Sequence, residues 1–161
     1  MFGLLQGGGW WVILSKIKSS FPKAEQISTS DLDQALRTNR DGVIILDVRA
    51  KEEYDVSHLE GALWVGNDGE LADEVLSQHM TPEKTMVACY CSVGYRSSTL
   101  AERLKQERNA PDGLFVNVEK SIFGWANDGK PVYKDGKQVP LVHPYNSTWG
   151  LLLKKELRSP I

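Results

Sequence analysis

Two short runs of consecutive apolar residues, Val43-Ile44-Ile45-Leu46 and the segment from Thr85 to Tyr90, constrain the fold of this chain more than any other feature. A strand with one wet face alternates apolar and polar side chains, whereas a run that is apolar at successive positions must be covered on both faces, as in parallel sheets. Segments of helical period lie between and around these runs. Ser28 or Ser30 can cap a helix reaching about Asn39, with Leu32, Ala35 and Leu36 on one face. Lys51 to Tyr54 suits a helical turn, Ala62 to Val65 a second short strand, and Leu71 to Gln78 a helix. From Ser97 to Arg108, Leu100, Ala101 and Leu104 face one way and Glu102, Arg103, Lys105 and Glu107 the other, and Leu114 to Val118 supplies a further strand. Strands alternating with helices predict an α/β domain with a mostly parallel sheet, helices on both faces and right-handed crossovers.

Charge and cysteine content exclude several functions. The 161 residues carry 19 basic and 21 acidic side chains, a net charge of -2, so no overall field gathers nucleic acid or anionic lipid. Cys89 and Cys91, separated by one residue, provide neither a disulfide framework nor a four-cysteine zinc site, which predicts a reducing, cytoplasmic setting. His79 and His143 have no recognisable ligand partner, so no metal and no cofactor is expected. The segment Met1 to Ile17 combines Gly7, Gly8 and Gly9 with Trp10-Trp11-Val12-Ile13-Leu14. It is too short to span a bilayer, and its lysines follow the apolar patch where a secretory signal would place them before it. It reads as an arm packed on the domain or on a partner, with anchoring at a membrane interface the lesser alternative. At the other end, Asp135-Gly136 marks a hairpin within Val132 to Val139, and Asn146 or Ser147 can cap a last helix through Leu157.

The chemistry concentrates in Val87-Ala88-Cys89-Tyr90-Cys91-Ser92-Val93-Gly94-Tyr95-Arg96-Ser97-Ser98. A buried strand ends at a cysteine, a small loop with one glycine follows, and a helix begins at once. Loop amides can converge on the sulfur while the positive end of the helix points the same way, which favours the thiolate. Cys91 is therefore the candidate nucleophile. Gly94 lets the backbone fold so that amides face inward, and Arg96 offers a planar, permanently charged fork for an anion. The amides from Ser92 to Ser97 are the expected anion cradle, with Ser92, Val93 and Tyr95 at its mouth. Cys89, inside the strand, reads as a buried core thiol.

A second segment, Ile44-Ile45-Leu46-Asp47-Val48-Arg49, then Glu53-Tyr54, then His58-Leu59-Glu60-Gly61-Ala62, reaches the same carboxyl edge of the sheet. Together with the cysteine loop, and with Asn117-Val118-Glu119-Lys120-Ser121-Ile122-Phe123-Gly124-Trp125 and Gly129-Lys130-Pro131-Val132, it resembles the rhodanese family over roughly Ile27 to Val132. Glu60 stands where that family usually has proline, and Lys120 and Ser121 replace a common glycine pair, which predicts a differently built turn. The resemblance implies a five-stranded, mostly parallel sheet in residues 27–132, with an arm at 1–26 and a hairpin and helix at 133–161 packed on the same domain. It also implies sulfur transfer through a Cys91 persulfide, from a small anionic donor such as thiosulfate to a thiol, cyanide or a protein persulfide partner. Asp47 and Arg49 are then scaffold, Glu53 supports the loop or faces a helix, and His58 supports a turn or serves as acid or base.

Cys91 to Arg96 spans six residues, whereas the related phosphatases and arsenate reductases place the arginine one position later. Those activities, and a non-catalytic binding module on the same scaffold, are the alternatives. Trp64 and Trp125 suit core or pocket rim. Trp10, Trp11 and Trp149, with Leu151, Leu152 and Leu153, are expected to pack the terminal arms against the domain or form a homo-oligomer.

Overall fold

Among the described residues, five strands form one sheet: β1 (Glu25–Ile27), β2 (Val43–Asp47), β3 (Leu63–Trp64), β4 (Met86–Tyr90) and β5 (Phe115–Val118). Their order is β1-β5-β4-β2-β3 and every neighbouring pair is parallel. The computed structural model describes the backbone of residues 2–161 and side chains from Gly7 onward. The helices are α1 (Phe2–Ser20), α2 (Thr29–Asn39), α3 (Lys51–Val56), α4 (Ala72–His79), α5 (Tyr95–Glu107) and α6 (Ser121–Asn127). A hairpin of β6 (Val132–Lys134) and β7 (Lys137–Val139) turns at Asp135 and Gly136, both at positive φ, 51° and 73°. That is the backbone a tight Asp-Gly hairpin demands.

The apolar runs are buried on both faces, as their pattern requires. Ile44, Leu46, Val87, Cys89 and Phe115 pack on one side with Ala72 and Leu76 of α4 and Leu100, Ala101 and Leu104 of α5. Ile45, Ala88, Tyr90, Val116 and Val118 face the other way, onto Leu32 of α2 and Ile122, Phe123 and Trp125 of α6. Each fully buried Leu or Ile stabilises the fold by about 2 kcal/mol before entropy is counted. Ser28 caps α2 by accepting the Asp31 amide at 3.0 Å.

Both terminal segments join this second cluster. Helix α1 buries Trp10 and Ile17, while Trp11 is 72% exposed. Gly9 permits the close approach, since a Cβ there would lie 3.1 Å from Leu152. At the C-terminal end, Asn146 does cap: its Oδ1 accepts the amides of Thr148 and Trp149 at 3.0 and 2.9 Å. The expected helix through Leu157 does not follow. Two short 3-10 turns, Trp149–Leu152 and Lys155–Leu157, flank an extended Leu153. Adjacent Leu152 and Leu153 are both buried, and Asn127 binds the Leu152 carbonyl and the Lys154 amide, groups that a continuing helix would have used internally.

The turn before α6 is also informative. Lys120 and Ser121 adopt left-handed conformations, φ 63° and 49°, the shape that a glycine pair supplies without strain. The chain keeps the turn and gains a hydroxyl in it.

Candidate active site

Cys91 is the first residue past β4, and Asp47, the last residue of β2, stands in register with Tyr90 just before it. Both predicted segments therefore meet at one edge of the sheet. The polypeptide from Cys91 folds back through Gly94, whose φ of 117° is inaccessible to ordinary residues and whose missing Cβ would lie 3.1 Å from Asn117 Nδ2. This brings the Gly94 amide to Cys91 Sγ, N–H to sulfur at 3.1 Å. The Ser97 hydroxyl lies 3.3 Å from the same sulfur and donates at 2.6 Å to Asn117 Oδ1. The first hydrogen bond of α5 runs from the Ser98 amide to the Gly94 carbonyl at 3.1 Å. The amides of Tyr95, Arg96 and Ser97 precede it and have no acceptor within the helix, leaving a positive helix end facing the loop.

The loop is fixed from three sides. Ser121 Oγ accepts the Cys91 amide at 3.1 Å and donates to the Val118 carbonyl at 3.0 Å. The first amides of α6 hold the carbonyls of Cys91 and Ser92, from Ile122 at 3.2 Å and Phe123 at 3.1 Å. From α3, the buried Glu53 carboxylate accepts the Ala50 amide at 2.9 Å, the Ser92 hydroxyl at 3.1 Å and both terminal nitrogens of Arg96 at 3.3 and 3.4 Å. Arg96 thus braces the loop, and part of the charge expected to meet an anion is already neutralised. Burial alone would lower the Arg96 guanidinium, but Cys91 and Glu53 beside it more than offset that and raise it.

Asp47 and Arg49 form a buried scaffold. Asp47 accepts from the Arg49 amide, from its Nε at 3.0 Å and from its Nη2 at 2.7 Å, and it also takes the Tyr90 hydroxyl. Arg49 Nη2 continues to the Ser57 carbonyl at 2.7 Å. Burial would lower the Arg49 guanidinium, yet Asp47, Tyr90 and Glu53 hold it above its ordinary value. Tyr90 is pushed well up, first by burial and then by Asp47. His58 stacks on Tyr54 with ring centres 3.9 Å apart, and its Nδ1 lies 2.9 Å from the Tyr54 carbonyl. Its backbone pairs with Tyr133, so it braces the turn and the hairpin and takes no part around Cys91. Cys89 is fully buried, its thiol pushed up to about 12 by burial and by its neighbour Cys91. Among the described residues no cluster of His, Cys, Asp and Glu has a metal-binding arrangement.

Two contributors were not singled out from the sequence. Ser121 and Asn117 hold the loop through their side chains, and their only advance signal was Ser121 in a turn that usually takes glycine. The other is a roof. A cavity of about 280 Å³ opens over Cys91, lined by Ser92, Val93, Tyr95 and Arg96 from the loop, Ile13, Lys16 and Ile17 from α1, and Tyr145 and Trp149 from the C-terminal segment. Phe21, just after α1, meets the Tyr95 ring edge-on at 4.9 Å. No described helix is long and apolar enough to cross a membrane.

Several solved structures share this fold. Among solved structures, a rhodanese-related protein from Thermoplasma volcanium is 27% identical, with a TM-score of 0.51 over 68% of this chain and 97% of its own. A thiosulfate sulfurtransferase from Pseudomonas aeruginosa is 21% identical, TM-score 0.58, over 75% of this chain and 22% of that one. The polysulfide-sulfur transferase homodimer from Wolinella succinogenes is 19% identical, TM-score 0.57, over 76% and 88%. No curated protein sequence matches. A family model for the rhodanese-like domain matches residues 28–128, the stretch that contains the sheet edge, the cysteine loop and its braces, and the chain belongs to that family.

Proposed function

We propose that this protein is a rhodanese-type sulfurtransferase working through a Cys91 persulfide. The observation that carries the reading is the Gly94 amide aimed at Cys91 Sγ at 3.1 Å, beside the open amino end of α5. Donors fixed before the reaction stabilise negative charge on sulfur without reorganising, and each is worth a few kcal/mol. Cys91 thiolate attacks the outer sulfur of a donor such as thiosulfate. The donor's sulfur–sulfur bond breaks, its electron pair leaves with sulfite, and Cys91 becomes a persulfide anion. The extra sulfur carries the charge towards the amides of Tyr95, Arg96 and Ser97. A thiolate or cyanide acceptor then takes the outer sulfur as a new persulfide or thiocyanate, and the Cys91 thiolate returns. Two structural neighbours are sulfurtransferases by name, which supports the reading at the level of the family.

The six-residue loop favours this over phosphoryl chemistry, because the smaller ring suits one added sulfur better than a phosphate. Intact mass after thiosulfate treatment tests it. The wild type should gain one sulfur and Cys91→Ser none. Turnover of an aryl phosphate with no added sulfur on the wild type would replace the proposal with a phosphatase.

A further inference from the structure

We infer that the roof built by α1 and the C-terminal segment docks this protein on membrane surfaces rich in anionic lipid, without crossing them. The net charge of -2 conceals a segregation. Residues 1–24 hold Lys16, Lys18 and Lys23 and no acidic side chain, and residues 140–161 hold Lys154, Lys155 and Arg158 against Glu156. These two segments together carry +5, and residues 25–139 carry -7. They are neighbours in space: Gly9 lies against Leu152, and Lys16 and Trp149 line the same cavity. Salt screens charge beyond about 10 Å, so a surface approaching the roof meets its local positive charge and not the chain's net charge. Among the described residues the lysines engaged in ion pairs are Lys51 and Lys105, and neither belongs to the roof. Lys16, Lys18, Lys154 and Lys155 are all exposed.

The same roof leaves large apolar side chains in water. Trp11 is 72% exposed, Val12 and Leu151 are each 58% exposed, and Trp149 is exposed as well. Indole rings and lysines together suit the headgroup boundary of a bilayer, where the ring sits in the interface and the ammonium meets lipid phosphate and carboxylate. Trp10 and Ile17 are committed to the core, so α1 has only its outer half to offer, and no described helix is long and apolar enough to cross a membrane. Docking is therefore peripheral. Nucleic acid would engage the lysines but gain nothing from Val12 and Leu151. A second copy laid face to face on this roof would set positive charge against positive charge.

The roof lies outside the stretch matched by the family model, so membrane docking is a property of the chain's own additions and is independent of the chemistry at Cys91.

Sedimentation of the full chain with vesicles of phosphatidylcholine alone, or with about one third phosphatidylserine, tests the inference. Partitioning should be at least about tenfold stronger onto the anionic vesicles and should fall at least about tenfold between roughly 0.1 and 0.5 M salt. Lys16→Gln combined with Lys18→Gln should weaken it by about 25-fold, about fivefold per lysine, and Trp11→Ser by about fivefold. These positions are exposed, and unchanged far-UV circular dichroism shows that each variant is folded. Trp11→Phe should still bind but lose part of the tryptophan quenching by brominated acyl chains. No binding to anionic vesicles, equal binding to both kinds, or binding that the lysine and Trp11→Ser variants retain overturns the inference. So does tighter binding to an RNA hairpin than to vesicles, or a wild-type dimer that Trp11→Ser converts to monomer. Sulfur transfer stands or falls separately, on the Cys91 measurements.

Discussion

The brace between Glu53 and Arg96 offers a quantitative test of how the loop is held. Glu53 is 1% exposed and the Arg96 side chain 21%, and they share two contacts at 3.3 and 3.4 Å, with the Ser92 hydroxyl touching both. Removing one partner of a fully buried pair costs about 3–5 kcal/mol. The partial exposure of Arg96 and the length of the contacts reduce that figure. Glu53→Gln should therefore cost about 2 kcal/mol, and Arg96→Met, which leaves the better buried carboxylate alone, about 3 kcal/mol. In the double variant neither charge is stranded, so the losses should not add, and a coupling of about 1.5–2 kcal/mol is expected. Urea unfolding of the four proteins with a common slope measures it. Additive losses, or a coupling below about 0.5 kcal/mol, would show that the pair does not hold the loop.

Other residues give independent tests. Gly94→Ala places a Cβ at φ 117° and 3.1 Å from Asn117 Nδ2, so it should cost about 2 kcal/mol in chemical unfolding and abolish persulfide formation in a folded protein; retained persulfide would refute the loop geometry. Leu104→Ala, in the fully buried face of α5, should cost about 3 kcal/mol and lower Tm by about 6–12 °C in calorimetry, leaving the site's chemistry intact. Alkylation at neutral pH should label wild type once, at Cys91, and leave Cys91→Ser unlabelled, because Cys89 holds its proton up to about 12. That raised value also fixes a sign. From an ordinary 9.0 to about 12 the unfolded thiol ionises while the folded one does not, so stability falls as pH rises through that window, and Cys89→Ala removes its share of the slope.

Much of this was legible in the residues because it is local. The continuous apolar runs produced β2 and β4, the α5 stripe appeared as written, and the strand, loop and helix around Cys91 lie where their order placed them. What escaped depends on contacts distant in sequence. Trp10, Ile13, Leu14 and Ile17 do lie at helical spacing, but the segment reads only as a packed arm, and its helix is explained by packing on Leu152 and the second core cluster. Arg96 looked like an open anion fork because the sequence, although it offered Glu53 as a loop-supporting carboxylate, does not reveal that Glu53 reaches Arg96 from α3. The last helix failed for the same reason: Asn127, about 25 residues away, takes the backbone groups it needed.

In the proposed mechanism one sulfur, held at the sheet edge by the Gly94 amide and the start of α5, is loaded and unloaded once per cycle. Loading the protein with a sulfane-sulfur donor, removing the excess, and counting the thiocyanate released by cyanide tests this directly. One thiocyanate per chain is expected from wild type and none from Cys91→Ser. Release of none by wild type, or an equal yield from the variant, would contradict it.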